Sequence, residues 1–238
     1  MSTYTAPLND IRFALHDVHN VQSLFADMGF DDANVELIDA VLEEAARFSN
    51  TVLSPLNAVG DVHGCQLDKA THEVTTAPGF KQAYQQFVEG GWTGLTSAPE
   101  YGGQGMPETL GMATSEMVSG GNLAWSLFPL LSHGAVEALK HYGLDWQKEA
   151  FLKPLVEGTW TGTMCLTESH AGTDLGLIKT RAEPHADGSY AITGTKIFIT
   201  AGEHDLVDNI VHLVLAKLPD APAGPKGISL FVTPKFKV

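Results

Sequence analysis

The stretch Cys165-Leu-Thr-Glu-Ser-His-Ala-Gly-Thr-Asp-Leu-Gly-Leu177 decides how the rest of the chain is interpreted. It gathers hydroxyls, carboxylates and two glycines into a predicted turn between apolar segments. Glycine lets a backbone approach a bound group without a Cβ clash. Amide N–H groups and threonine hydroxyls beside it can donate hydrogen bonds to that group. The stretch therefore predicts a loop that binds a flat ligand with polar edges.

The composition is that of a globular protein and excludes several classes of function. The 238 residues are 44% hydrophobic and 18% charged, which predicts one or two domains with a proper core. A formal net charge of −14, with 14 basic residues and no basic cluster, argues against a nucleic-acid partner. No window approaches the ~18 uninterrupted apolar residues of a membrane span. Residues 1–20 lack the apolar core of a signal peptide, so we expect a cytoplasmic protein.

The first part of the chain has the apolar periodicity of helices. From Asp31 onward, apolar residues recur at steps of three and four, which predicts a helix with Asp31 or Asp32 as its N-cap. Pro55 and Gly60 are predicted to end it. Further helices are predicted over residues 79–89, 108–119, 123–142 and 145–156. Trp146 is expected to face inward on the last of these helices.

After Gly158 the pattern changes to short runs rich in Thr, Val and Ile. Strands are predicted over residues 159–167, 190–193, 197–200, 211–218 and 228–232. The fold class is therefore α+β. An all-helical domain over residues 1–157 precedes the start of a β-barrel or β-sandwich domain over residues 158–238. Because the last residues follow a strand of a sheet still being built, we expect the β-domain to be truncated.

Several common functional motifs are missing from the sequence. There is no P-loop, no H-E-x-x-H and no G-x-S-x-G. The two cysteines match no disulfide or metal spacing, and histidine pairs such as His133 and His141 lack the spacing of metal ligands. The run Gly102-Gly-Gln-Gly105 follows no strand and lacks the third glycine of a dinucleotide fingerprint, so a tight loop is the better interpretation. We expect no metal site.

The segment from Cys165 to Asp174 resembles the active-site motif of the acyl-CoA dehydrogenases. That pattern is a small residue, an apolar residue, Ser/Thr, Glu, two variable positions, a small residue, Gly, Ser/Thr and Asp. Three further segments agree in order and spacing: residues 53–61, 99–105 and 194–200. The resemblance covers essentially the whole chain. From Tyr4 onward it is similar to one large bacterial branch, which includes the 3-methylmercaptopropionyl-CoA dehydrogenase-like enzymes.

The resemblance implies FAD as the cofactor, with the hydroxyl of Thr167 close to flavin N5. The residues that it assigns to the flavin are Met164, Cys165, Leu166, Thr167, Phe198, Ile199 and Thr200. It assigns Gly172 and Thr173 to the acyl-CoA substrate. Taken singly, the threonines could be ordinary strand residues, Phe198 a core aromatic and Gly172 a turn glycine. The family usually has Trp at the position of Phe198 and Pro at that of Ser169.

The implied reaction is α,β-dehydrogenation of an acyl-CoA thioester, with an electron-transferring flavoprotein as electron acceptor. In the family the catalytic base is a Glu of a C-terminal helical domain, and nothing in this sequence matches that domain. No catalytic residue is therefore assigned, and Glu168 is expected to support the loop. The chain alone is expected to bind FAD weakly and to show no turnover. The complete protein is expected to be a homodimer or homotetramer.

Two other functions remain open at this point. A related flavoprotein of the same fold could be an acyl-CoA oxidase or a flavin hydroxylase, which reduces oxygen directly. A non-catalytic module that binds acyl-CoA could also keep the fold and lose the chemistry. Rapid oxygen consumption would favour the first, and a protein without flavin absorbance would favour the second.

Overall fold

The computed structural model describes residues 4–238 of the chain. They form two compact units, the helical unit and the sheet unit. The helical unit contains residues 4–129, 156–158 and 204–206, and the sheet unit contains residues 130–155, 159–203 and 207–238. The domain boundary predicted after residue 157 stays a prediction. Residues 1–3 of the predicted first domain lie outside the described residues.

The N-terminal half of the chain is helical, as predicted. Two short helices joined by a π-type segment over Phe13–Val18 come first, the longer helices follow, and a small two-stranded hairpin lies between the fourth and fifth helices. The elements are α1 (Leu8–Arg12), α2 (Val21–Asp27), α3 (Val35–Phe48), α4 (Ser54–His63), β1 (Gln66–Leu67), β2 (Val74–Thr75), α5 (Phe80–Glu89), α6 (Glu108–Gly121), α7 (Leu123–Tyr142) and α8 (Asp145–Val156).

The boundaries of α3 differ from the prediction at both ends. Its N-cap is Asn34, whose Oδ1 accepts a hydrogen bond from Leu37 N at 2.9 Å, and not Asp31 or Asp32. Only Asn34 has the extended backbone next to the first helical residue that a cap needs. At the other end, a wider π-type turn over Ser49–Leu53 leads directly into α4. Pro55 lies in the first turn of α4, where a missing N–H costs nothing.

The core of the helical unit is built on one face of α3. Ile38 and Leu42 are fully buried and belong to the same apolar cluster as Leu110 and Met117 of α6. The buried indole of Trp125 satisfies its N–H by donating to the Phe80 carbonyl at 3.2 Å. A buried Trp needs such a partner, because an unpaired N–H in the core is costly.

The sheet unit contains one five-stranded mixed sheet. Its strands are β3 (Trp160–Cys165), β4 (Arg181–Pro184), β5 (Tyr190–Thr193), β6 (Asn209–Lys217) and β7 (Ile228–Pro234). β6 is central: it pairs with β3 and β4 in parallel and with β7 antiparallel, while β4 and β5 form a hairpin. The predicted order of helices followed by a sheet is confirmed.

Three details of the prediction are wrong in this part of the chain. Residues 197–200 are not a strand, because the backbone at Phe198 is left-handed, with φ of 57°. Strand β4 was not predicted, since its sequence Arg-Ala-Glu-Pro has little β-propensity and its pairing with β5 and β6 determines it. Trp146 does not face inward, because 59% of its surface is exposed on α8.

Candidate functional site

The segment after β3 folds back as a tight turn around a buried carboxylate. Glu168 N donates to Ala171 O at 2.8 Å, and Ala171 N donates to Glu168 O at 3.1 Å. The side chain of Glu168 points inward and accepts hydrogen bonds from Lys179 N at 2.7 Å, Thr180 N at 3.0 Å and Thr180 Oγ1 at 2.6 Å. One carboxylate therefore holds both ends of the loop between β3 and β4, the supporting role predicted for Glu168.

Lys196 joins this loop to the second predicted flavin-contacting segment. Its Nζ lies 2.9 Å from Glu168 Oε1 and donates to the carbonyl of Leu166 at 3.1 Å. Directly beside it, Ile197 N donates to Thr167 O at 2.9 Å. The structure thus brings residues 166–167 and 196–197 side by side, although about thirty residues separate them in the sequence.

Glu168 is ionised throughout the neutral pH range. Burial tends to raise the pKa of a carboxyl, but here the hydrogen bonds from Thr180, Lys179 and Lys196 outweigh burial and lower the pKa to about 2. A general base works best when its pKa lies near the working pH. Glu168 is therefore poorly suited to abstract a proton from a substrate, in agreement with its predicted structural role.

The predicted flavin-contacting residues differ in how they are presented. The side chain of Cys165 is buried and lies 3.6 Å from Thr163 Oγ1, so that only its backbone could meet a ligand. Met164 is partly exposed on the opposite face of β3, and Phe198 is 88% exposed. Leu166, Thr167 and Ile199 are half-buried, and Thr200 is exposed. Their contact with a cofactor remains a prediction.

The predicted substrate residues lie beside this segment. Gly172 and Thr173 are both exposed, and a Cβ added at Gly172 would lie 3.4 Å from Thr167 Cγ2. That distance is an ordinary van der Waals contact, and no left-handed backbone demands glycine here. The turn itself therefore does not require a glycine at position 172.

The sequence did not reveal the polar side chains that hold the loop after β3 in place by hydrogen bonds. Lys196 is one position of the segment over residues 194–200, and no local sequence pattern marks Thr180 or Lys217. Lys217 donates to the Gly176 carbonyl at 2.6 Å and so holds the far end of the loop. A lysine directly before the apolar run Ile197-Phe-Ile199 was the available signal, because lysine is rarely buried without a partner.

Comparison with known proteins identifies the family of this chain. A family model described as the acyl-CoA dehydrogenase N-terminal domain matches residues 38–159, and one described as the middle domain matches residues 163–237. The chain belongs to the acyl-CoA dehydrogenase family. The predicted resemblance is therefore confirmed.

Individual relatives cover almost the whole chain. The 3-methylmercaptopropionyl-CoA dehydrogenase of Ruegeria pomeroyi is 46% identical over 234 residues, which are 98% of this chain and 40% of that protein. A butyryl-CoA dehydrogenase of Syntrophomonas wolfei is 37% identical over 238 residues, 99% of this chain and 39% of that protein. The chain spans about two fifths of the length of these curated relatives.

The fold of this acyl-CoA dehydrogenase family member also matches a solved structure. The butyryl-CoA dehydrogenase from Megasphaera elsdenii superposes with a TM-score of 0.70 at 28% identity, covering 85% of this chain and 49% of that one. Within residues 4–238, no helix is long and apolar enough to cross a membrane. No group of three or more His, Cys, Asp or Glu side chains in the same residues could hold a metal ion.

Proposed function

We propose that this chain supplies the N-terminal and middle-domain part of an FAD-dependent enzyme that dehydrogenates the α,β bond of an acyl-CoA thioester. The observation that supports this proposal is the hydrogen bond from Ile197 N to Thr167 O at 2.9 Å. This bond sets Thr167 and its hydroxyl, two residues after β3, beside the segment that carries the exposed aromatic ring of Phe198. Hydroxyl, amide groups and aromatic face are what a flavin ring system needs from a protein.

The residues fit a flavin. The backbone of Met164, Cys165 and Leu166 would face the ring edge, and the Thr167 hydroxyl would donate to N5. Phe198, Ile199 and Thr200 would lie against the ring. When bound, FAD supplies the acceptor for the hydride that leaves the substrate. The exposed Phe198 side chain and the glycine at position 172, which the turn does not need, both leave room for ligands at this place.

The chain's own groups bind and orient rather than transfer protons. Gly172 and Thr173 would hold the acyl-CoA next to Thr167. Glu168 stays ionised and fixed beneath the loop, so it keeps the amide groups of the turn in place. The proton is proposed to leave to a Glu of a C-terminal helical domain, as in the family. An electron-transferring flavoprotein is the proposed electron acceptor, and a cytoplasmic homodimer or homotetramer is the proposed state.

The test compares the 238-residue chain with the product of the open reading frame that contains it. Both are titrated with FAD and assayed with butyryl-CoA and 3-methylmercaptopropionyl-CoA against an artificial electron acceptor. We expect weak FAD binding and no turnover for the 238 residues, and a yellow, active product of the whole reading frame. Robust turnover by the 238 residues would contradict the assignment of the base elsewhere. A colourless product of the whole reading frame would refute the proposed function.

A further inference from the structure

Lys196 is a buried lysine whose ammonium contacts a carbonyl of the candidate flavin edge. Its side chain is 9% exposed, and that of its partner Glu168 is 4% exposed. Lysine is almost never buried at this level unless it is paired, and the pair costs desolvation energy. The pair lies at the place where residues 166–167 meet residues 196–197.

The support that Lys196 gives to Glu168 does not by itself explain why a lysine is buried at this position. The carboxylate already accepts hydrogen bonds from Lys179 N, Thr180 N and Thr180 Oγ1. Those three donors tie the loop to the start of β4 without any help from the lysine. Lys196 makes one contact that those three donors do not make: within residues 4–238, its Nζ donates to the Leu166 carbonyl at 3.1 Å.

The Leu166 carbonyl belongs to the same planar peptide group as the amide N–H of Thr167. Because the trans peptide is rigid, its C=O and N–H point in opposite directions. A cation that holds Leu166 O therefore also fixes the direction of the Thr167 N–H. Hydrogen bonding at one end of an amide polarises the group and strengthens the donor at the other end. On its other side, the Thr167 carbonyl is held by Ile197 N, so both peptide groups around Thr167 are anchored.

We propose that Lys196 is a positioning residue that aims and polarises the Thr167 amide N–H toward the bound flavin. This inference rests on the proposed function, because it takes the ligand at Thr167 to be FAD. It assigns to Lys196 an effect on cofactor affinity that is separate from its contribution to stability. Glu168 neutralises the buried ammonium, and the Leu166–Thr167 peptide transmits its effect.

The variant Lys196→Met removes the ammonium and keeps an apolar stem of similar length. Thr180→Val is the matched control, because it removes a buried hydrogen bond to the same carboxylate, at 2.6 Å, and leaves Leu166 untouched. Lys235→Met is a second control, because it breaks a more exposed ion pair with Glu203 at 2.7 Å in the same unit. Thermal melting of all three variants reports their stability.

Amide chemical shifts of the 238-residue chain, recorded during a titration with FAD, report the cofactor directly and at low affinity. We expect the Thr167 amide to respond to FAD in the parent chain. In Lys196→Met the FAD dissociation constant should rise about tenfold, because the Thr167 N–H would be less well aimed and less polarised. The ligand-free Thr167 amide proton should also shift upfield in this variant. Lys235→Met should keep the parental affinity even where it melts earlier, and Thr180→Val, which loosens the same carboxylate without touching Leu166, should lose less affinity than Lys196→Met.

The outcomes separate this inference from the proposed function. If Thr167 and Phe198 do not respond to FAD in the parent chain, the inference fails, and the proposed function fails with it only if the product of the whole reading frame is colourless as well. If the parent chain responds and Lys196→Met binds equally well, only the inference fails. Equal losses of affinity in Thr180→Val and Lys196→Met would reduce Lys196 to a structural role. Failure of both Lys196→Met and the milder Lys196→Gln to fold would lead to the same conclusion and overturn the proposal.

Discussion

The imidazole Nδ1 of His212 lies 2.7 Å from the hydroxyl oxygen of Thr163, across the parallel pair of β3 and β6. The two residues are direct partners in the ladder, and Thr163 is fully buried. Burial lowers the pKa of His212; the neighbouring Lys235 adds to this, and Glu203 opposes it. The structure therefore holds His212 in its neutral form inside the sheet unit.

This neutral histidine should make the fold sensitive to mild acid. Above the ordinary pKa of about 6.5, His212 is neutral in the folded and unfolded chains and imposes no penalty. As the pH falls below that value, the unfolded chain takes up a proton that the folded chain refuses, so stability falls. In His212→Asn this contribution to the pH dependence of the free energy of unfolding should disappear. Urea unfolding of the parent and of His212→Asn at pH 7.0 and 5.5 measures it, and an equal loss of stability in both proteins between the two pH values would contradict the prediction.

Glu168 should contribute stability with the opposite sign of pH dependence. Its pKa of about 2 lies below the ordinary 4.5, so the contribution is fully present above pH 4.5 and is lost as the pH falls toward 2. The difference corresponds to about 3 kcal/mol. Glu168→Gln should therefore unfold more easily by about that amount at pH 7, with the deficit shrinking below pH 4.5. The exposed Glu183→Gln should differ from the parent by about 0.5 kcal/mol at most.

Replacing Gly134 and Gly162 by alanine should change the free energy of unfolding in opposite directions. Gly134 lies inside α7 with open space around the position of a Cβ. Gly134→Ala should raise the free energy of unfolding by roughly 0.5–1 kcal/mol, because alanine favours the helix. At Gly162 on β3, an added Cβ would lie 2.4 Å from the Cβ of Ala135. Gly162→Ala should lower stability by about 1–3 kcal/mol, and denaturant unfolding that ranks the two alike would contradict this packing.

The sequence predicted those elements whose signals are local. The bounds of α7, α8 and β5 agree with the predictions for residues 123–142, 145–156 and 190–193, because apolar periodicity and flanking Gly, Pro or Asp mark them. The loop after β3 was also found, because its hydroxyls, carboxylates and glycines lie close together in one short segment. Each of these features depends on neighbours within a few residues.

Features that depend on distant partners were not predictable from the sequence. The contact of Lys196 with Glu168 joins residues 28 positions apart and exists only after β3 and β4 are in place. The run Ile197-Phe-Ile199 has strong β-propensity, yet it is irregular here, because Lys196 and Ile197 are held against residues 166–168 instead of a neighbouring strand. Tertiary contacts override local preference at the place where the cofactor is proposed to bind.

Phe198 should be a residue at which stability and binding conflict. It is 88% exposed, and its left-handed backbone, with φ of 57°, is costly for an aromatic residue. Asparagine tolerates this conformation, and little buried surface would be lost with the ring. Phe198→Asn should therefore raise the free energy of unfolding by about 0.5–1 kcal/mol, as measured in urea.

The same substitution should weaken FAD binding, because it removes the aromatic face proposed to lie against the flavin. Phe198→Trp offers the reverse comparison: it keeps the strained backbone and enlarges the face, so it should bind FAD more tightly without a gain in stability. Amide shifts during FAD titration and urea unfolding of the same samples give both quantities. An asparagine variant that is more stable and binds FAD as well as the parent would mean that the exposed ring serves some purpose other than the flavin. A less stable one would mean that the ring supports the fold, and the left-handed backbone would then have no functional explanation.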